Sequence, residues 1–158
     1  MRTKKAPVRI TRPDGKYQSV RIAKLINYVM RDGKKSVAQK QVYLALEELA
    51  LKTGKKALES FEEVIKAVTP QMEVRSRRVG GASYQVPMPV RSGRGFALSL
   101  RALVEAANKK PNKQYHTFGE KLTAEMLEAL QGTGGAINKK NTAHRMADAN
   151  KAFAHFRW

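Results

Sequence analysis

The stretch Met72-Glu-Val-Arg-Ser-Arg-Arg-Val-Gly-Gly-Ala-Ser-Tyr-Gln-Val-Pro-Met-Pro-Val-Arg91 decides the architecture. On either side of Gly80-Gly81 the residues favour extended backbone and fall towards a period of two, the pattern of two antiparallel arms, Met72 to Val79 and Tyr84 to Arg91, joined at a glycine turn. Pro87 and Pro89 have no N–H to give to a ladder, so the returning arm has to be an edge. A lone two-stranded ribbon is marginal in water. It is therefore expected to lean on a helix or to become fully ordered against a ligand. Arg75 and Arg77 alternate onto one face, Val74 and Ser76 onto the other, and Arg78 lies next to the turn. Planar guanidinium groups grip phosphate at two points or stack on bases, which suits nucleic acid better than a lysine-coated solubility surface. The plainer reading is an edge strand guarded by charge. Guarding does not need five arginines between residues 75 and 94.

Outward from the ribbon the period becomes helical. Upstream, Val20, Ile22, Leu25, Ile26, Val29 and Met30 mark a helix from about Ser19 that stops at Asp32-Gly33. Ser36 and Gln39 have the spacing of a capping box for a second helix with a Val42, Leu46, Leu49 stripe, closed by Gly54. Leu58, Phe61, Ile65 and Val68 mark a third, ended by Pro70. Downstream, a fourth helix is expected from about Gly95 to Lys109, with Phe96, Leu100, Leu103 and Ala107 on one face and Arg101 off it. A basic loop, Lys109 to Lys113, follows. Thr117 and Glu120 offer a second capping box for a fifth helix bearing Phe118, Leu122, Met126 and Leu130. Gly132, Gly134 and Gly135 are expected to interrupt the chain, with Lys139 and Lys140 beside that turn. A last helix is then expected from about Asn141 towards Trp158, carrying Met146, Ala149 and Phe153. The fold class is mainly α: a bundle of about six helices with a protruding two-stranded β-ribbon, read as one RNA-binding domain over 1–158 with a basic arm at 1–18 and the ribbon at 72–91.

Charge decides the class of partner. Lys and Arg number 31 against 13 Asp and Glu, a formal charge of +18, and such self-repulsion calls for a polyanion. Residues 1–40 carry twelve basic and two acidic side chains, 41–71 carry four and five, and 72–101 carry six arginines and one acid, Glu73. The working surfaces are thus the amino-terminal arm, the turn at Lys34-Lys35 and the ribbon with the helix after it. A membrane partner is disfavoured because no stretch reaches the roughly 18 apolar residues of a spanning helix. Met1 to Arg12 lacks the apolar run of a secretory signal. With no cysteine, disulfides and thiolate metal sites are excluded.

No catalytic constellation stands out. Gly132-x-Gly-Gly and Gly93-x-Gly are too short to be nucleotide fingerprints. His144 and His155, eleven residues apart, would share a helix face about 16 Å apart, too far for one metal or one catalytic pair. No catalytic residue, metal or cofactor is expected. Tyr84 is a candidate either for stacking on a base or for propping the hairpin. Phe153 is expected in the core, and Trp158 is open between core and partner contact. Two rival functions carry their own tests. A DNA-bending protein would bind duplex DNA as well as folded RNA, and an RNA-modifying enzyme would lose turnover in His144→Ala.

The ribbon sequence from Glu73 to Arg91, taken with His144-Arg-Met-Ala-Asp-Ala-Asn-Lys-Ala-Phe-Ala-His-Phe-Arg-Trp158 and Met30-Arg-Asp-Gly-Lys-Lys35, closely resembles the bacterial type of ribosomal protein seven of the small subunit, over nearly the whole chain. The resemblance implies a structural, non-enzymatic protein in the small ribosomal subunit, cytoplasmic in bacteria or housed in an organelle. It implies direct binding to the 3′ major domain of 16S-type rRNA, nucleation of head assembly, a place near the exit-site tRNA and the mRNA exit channel, and small-subunit proteins nine and eleven as neighbours. The residues expected to face rRNA are Arg2, Lys4 and Lys5 in the arm, Lys34 and Lys35, Arg75, Arg77 and Arg78 on the ribbon, Arg91, Arg94 and Arg101 around the fourth helix, and Lys139 and Lys140. The family's fourth helix usually opens with more arginine than Arg91-Ser-Gly-Arg-Gly-Phe96, so contact there rests mainly on Arg94.

Overall fold

The computed structural model describes Ala6 and residues 10–157. Arg2, Lys4, Lys5 and Trp158 lie outside the described residues, as does most of the basic arm. Within them the order is α1 (Val20–Val29), α2 (Lys35–Thr53), α3 (Ala57–Val68), β1 (Met72–Val79), β2 (Ala82–Pro89), α4 (Ser92–Lys109), α5 (Phe118–Leu130), α6 (Gly134–Ala149) and a short 3-10 helix (Lys151–Phe156). The expected mainly helical fold with one ribbon is what the chain adopts. All six α-helices supply one apolar cluster, including Ile22 and Leu25 of α1, Val42, Leu46 and Leu49 of α2, Phe61 of α3, Leu100 and Leu103 of α4, Leu122 and Met126 of α5, and Ile137 of α6. α5 packs against α2, α3, α4 and α6. Its amino-terminal end carries the expected capping box: Thr117 Oγ1 accepts the Glu120 N–H, and the Glu120 carboxylate reaches back to the Thr117 N–H.

The ribbon is an antiparallel pair with Val79 opposite Ala82, so Gly80 and Gly81 alone make the turn. Both take positive φ, 58° and 92°, which is the backbone a two-residue hairpin turn demands and glycine supplies without a Cβ clash. The return arm begins two residues earlier than the prolines and Tyr84 suggested, because the tight turn brings Ala82 and Ser83 into pairing. Pro87 and Pro89 stand opposite Val74 and Met72. The base of the ribbon leans on α6 and on the 3-10 helix, as one of the two expected outcomes required.

Four local expectations give way. First, α2 starts at Lys35, not at a Ser36 cap: a turn closed by Lys34 N–H to Arg31 C=O begins the helix early, Ala38 N–H bonds to the Lys34 carbonyl, and the Gln39 amide donates to Tyr43 OH. Ser36 is already inside the first turn, where its hydroxyl has no cap to make. Second, α4 starts at Ser92, three residues ahead of Gly95, with Gly95 N–H bonded to the Arg91 carbonyl.

Third, α6 starts at Gly134 rather than Asn141. A carboxylate from α5 replaces a local cap, since Glu125 Oε1 accepts the Ala136 N–H at 2.7 Å. Gly134 has φ 91°, and a Cβ there would sit 3.0 Å from the carboxylate oxygens of Glu125 and Glu128, so the glycines open this helix instead of breaking the chain. Lys139 and Lys140 are therefore on a helix and not in a turn. Fourth, α6 stops at Ala149. Asn150 donates from both its backbone N–H and its side-chain amide to the Met146 carbonyl, a local competition that ends the ladder and leaves a 3-10 turn. The buried face of α6 is Ala136, Ile137 and Ala147, while Met146 and Ala149 are exposed. The regular helix that would have set His144 and His155 on one face does not exist. Phe153 is half-buried against Tyr84, outside the main core.

Candidate nucleic-acid interface

Directly paired residues share a ribbon face, so Glu73, Arg75 and Arg77 stand beside Met88, Val86 and Tyr84, and Arg78 projects from the other face with Ser76. The inner end of the first face is anchored. Val86 is fully buried, and the Tyr84 ring lies 5.2 Å from the rings of both Phe153 and Phe156. Tyr84 thus props the ribbon against the 3-10 helix. Arg157 Nε adds a bond to the Pro87 carbonyl, and His144 Nε2 accepts the Gln71 N–H at 2.9 Å where the chain enters the ribbon.

Glu73 fastens the ribbon root to α4. Its side chain is 12% exposed, and it accepts Arg75 Nε at 2.9 Å on one oxygen and Arg94 Nε at 3.1 Å on the other. Burial pushes this carboxyl up, but hydrogen bonds from Arg75 and Arg94, together with their charge, outweigh burial and hold it below the ordinary carboxylate range. The only acid in the arginine-rich segment thus orients two guanidinium groups and leaves each with N–H donors to spare. Both arginines are about half exposed.

Arg77, Arg78, Arg91 and Arg101 make no ion pair among the described residues. Arg78, Arg91 and Arg101 are exposed and Arg77 is half-buried. Arg101 follows Arg94 by seven residues, two turns of α4, so both lie on the helix face turned to the ribbon root, where α6 brings Lys139 and Lys140 alongside. These two lysines differ. Lys139 pairs with Glu105 across the α4–α6 seam, and Lys140 Nζ donates to the Ala67 carbonyl at 2.8 Å, tying α6 to α3. The ribbon, α4 and α6 thus form one arginine-rich face.

Lys34 and Lys35 are elsewhere. They lie at the start of α2, and Lys34 lines a groove of about 360 Å³ with Arg31, His116, Lys121, Asn108 and Asn112. Asn108 is fourteen residues along α4 from Arg94, about 21 Å by the helix rise. The groove holds no carboxylate. Arg31 and Lys121 are not among the residues the sequence points to, and His116 is read there only as a histidine with a surface or RNA-facing role. The Met30-to-Lys35 motif contains Arg31, but nothing in local pattern brings the segment before α5 to it. Lys110, read as part of a basic loop, is instead half-buried between Glu125 and Glu128, at 3.3 and 2.6 Å.

Among the described residues no cluster of His, Asp and Glu could hold a metal ion, and no helix is long and apolar enough to cross a membrane. The arrangement has cations fixed at two ends of a rigid helical body and a projecting arm, which is equipment for gripping a shaped polyanion at several points.

Comparison with known proteins agrees with this geometry. Residues 1–151 match the family described as Ribosomal protein S7p/S5e. The chain is 53% identical over 152 residues to the small ribosomal subunit protein uS7 of Caldanaerobacter subterraneus, with 96% of each chain covered. It is 51% identical over 157 residues to that of Acidithiobacillus ferrooxidans, with 99% of each covered. Against the uS7 of Thermosipho melanesiensis the identity is 52% over 158 residues and the whole of both chains.

Proposed function

Because the chain belongs to the Ribosomal protein S7p/S5e family, and so is a structural, non-enzymatic component of the small ribosomal subunit, we propose that its arginine-rich face binds the 3′ major domain of 16S-type rRNA directly and nucleates assembly of the subunit head. Residues 1–158 act as one RNA-binding unit. The observation that carries the reading is the Glu73 joint. It holds Arg75 of the ribbon and Arg94 of α4 on one carboxylate, so an arm and a body present guanidinium groups in fixed relation, as recognition of a folded RNA junction requires. Arg77, Arg91, Arg101, Lys139 and Lys140 extend that surface, Arg78 adds a cation on the opposite ribbon face, Lys34 and Lys35 form a second contact, and Arg2, Lys4 and Lys5 a third. The proposal takes exit-site tRNA, the mRNA exit channel and small-subunit proteins nine and eleven as neighbours, as the family resemblance implies.

The test is binding of the purified chain to a transcript of the rRNA head domain beside duplex DNA of equal length. For about six to ten phosphate contacts, affinity for the transcript falls roughly 10³ to 10⁵-fold between 50 and 200 mM salt. Arg75/Arg77/Arg78→Ala removes the preference for RNA. A flat salt response, equal affinity for both polymers, or indifference to the triple substitution overturns the proposal.

A further inference from the structure

A second groove opens where the ribbon root meets α4 and α6. Met72 and Val74 of β1, Leu98 and Ala102 of α4, and Ala143 and Met146 of α6 give it an apolar lining, and it encloses about 410 Å³, within the roughly 300–1,000 Å³ of small-ligand sites. Met146 stands 55% exposed over it. Charge surrounds this slot: Arg101, Lys139, Lys140, Glu73 and Glu105 complete the lining. Both acids are already engaged, Glu73 by Arg75 and Arg94 and Glu105 by Lys139. Lys140 is tied to the Ala67 carbonyl. Arg101 is exposed and makes no ion pair among the described residues, so its guanidinium is the group left for a ligand anion.

Paired RNA keeps its bases stacked inside the helix and shows a protein phosphates and ribose hydroxyls, which have no use for an apolar slot. An unpaired nucleotide offers what this groove lacks, an apolar base face with a phosphate on either side. A protein segment would meet both the slot and Arg101 only by setting an acidic side chain beside an apolar one, whereas every unpaired nucleotide carries both groups. We infer that the groove receives an unpaired base of the bound RNA, with Met146 and Leu98 against the base and Arg101 on its phosphate. The inference rests on the rRNA-binding reading above and names the kind of nucleotide that reading requires at this face.

The test compares a short unstructured RNA with an abasic sugar–phosphate chain of the same length, which has the same charge and no bases. Met146→Gln and Arg101→Gln change exposed positions, and thermal melts confirm that each variant is folded. The wild type prefers the base-bearing strand by on the order of tenfold, as base burial on a protein platform allows. Met146→Gln erases that preference. Arg101→Gln weakens both strands, keeps the preference and lowers the salt slope by about one. Equal wild-type affinity for the two strands, or a preference that survives Met146→Gln, overturns the inference; the second result leaves the groove to a protein segment. Failure to bind the head-domain transcript sinks the rRNA reading itself. Binding to the transcript with no preference for bases sinks only the groove.

Discussion

Glu125→Gln tests the joint from which α6 hangs. The Glu125 side chain is 2% exposed, and its two oxygens do different things: one accepts the Ala136 N–H at 2.7 Å, and the other lies 3.3 Å from Lys110 Nζ. Glutamine keeps the shape and an oxygen for Ala136 but removes the charge. Breaking a buried pair costs about 3–5 kcal/mol when the surviving charge is left alone. Here Lys110 retains Glu128 at 2.6 Å, on a side chain 37% exposed, so the ion-pair share falls to about 1–2 kcal/mol. Loss of a negative charge at the start of a helix adds about 0.3–1 kcal/mol. The sum is about 1.3–3 kcal/mol, which for a chain of this length is a fall of roughly 3–12 °C in melting midpoint. Urea denaturation should show a lower midpoint with an unchanged slope. The pH dependence carries the sign. Burial pushes the Lys110 ammonium down, but hydrogen bonds and charge from Glu128 and Glu125 outweigh it, so its folded pKa is raised. The pair's contribution is complete below the unfolded lysine value of about 10.4 and is lost as pH rises through the folded value. On the alkaline side the gap between wild type and variant therefore narrows only as pH rises through the raised lysine value. A loss under about 0.5 kcal/mol, the size of an ordinary surface substitution, would refute the claim that the negative charge of Glu125 stabilises the start of α6 and the pair with Lys110.

Other outcomes follow from the same geometry. Gly134→Ala forces a side chain into φ 91° and against two carboxylates; a destabilisation of about 1–3 kcal/mol is expected in urea titration, and a neutral result would mean that the glycine is dispensable. Thr117→Ala removes the hydroxyl half of the α5 capping box and should cost about 1 kcal/mol, with Thr117→Ser restoring most of it. The folded pKa of Glu73 is depressed, so its tie to Arg75 and Arg94 stabilises above the ordinary carboxylate value, about 4.3, and fades as pH falls through the folded value. Because both arginines are half exposed, Glu73→Gln should differ from wild type by no more than about 1 kcal/mol at neutral pH, and a difference that persists in strong acid would contradict this account. Hydrogen exchange over residues 75–88 should be graded in the free protein, slow at Val86 and fast at the turn. Uniformly strong protection would show an arm ordered without RNA.

Most of the scaffold was legible in local pattern. The stripes of α1, α2, α3 and α5 are runs of apolar residues at helical spacing, and such spacing reports a buried face whatever lies against it. The Gly80-Gly81 turn could be read because two residues with positive φ leave glycine as the easy choice. Misreadings concentrate where a distant residue supplies what a local one was expected to supply. Gly134-Gly135 reads as a break until a carboxylate nine residues upstream arrives to accept the Ala136 N–H. Ser36 reads as a cap until the Arg31–Lys34 turn starts the helix ahead of it.

The sequence by itself determined that this is a helical protein with one basic ribbon and a charge that demands a polyanion, because periodicity and net charge are sums over neighbours and need no fold to be evaluated. Only the tertiary structure decided which cations work together. It set Arg94 and Arg75 on one carboxylate, gave Lys140 to a backbone carbonyl, half-buried Lys110 between two glutamates, and gathered Arg31 and Lys34 with His116 and Lys121 from two separate segments. The physical reason is that a cation's availability depends on its surroundings within a few ångströms, and packing brings those surroundings from parts of the chain that local pattern does not connect.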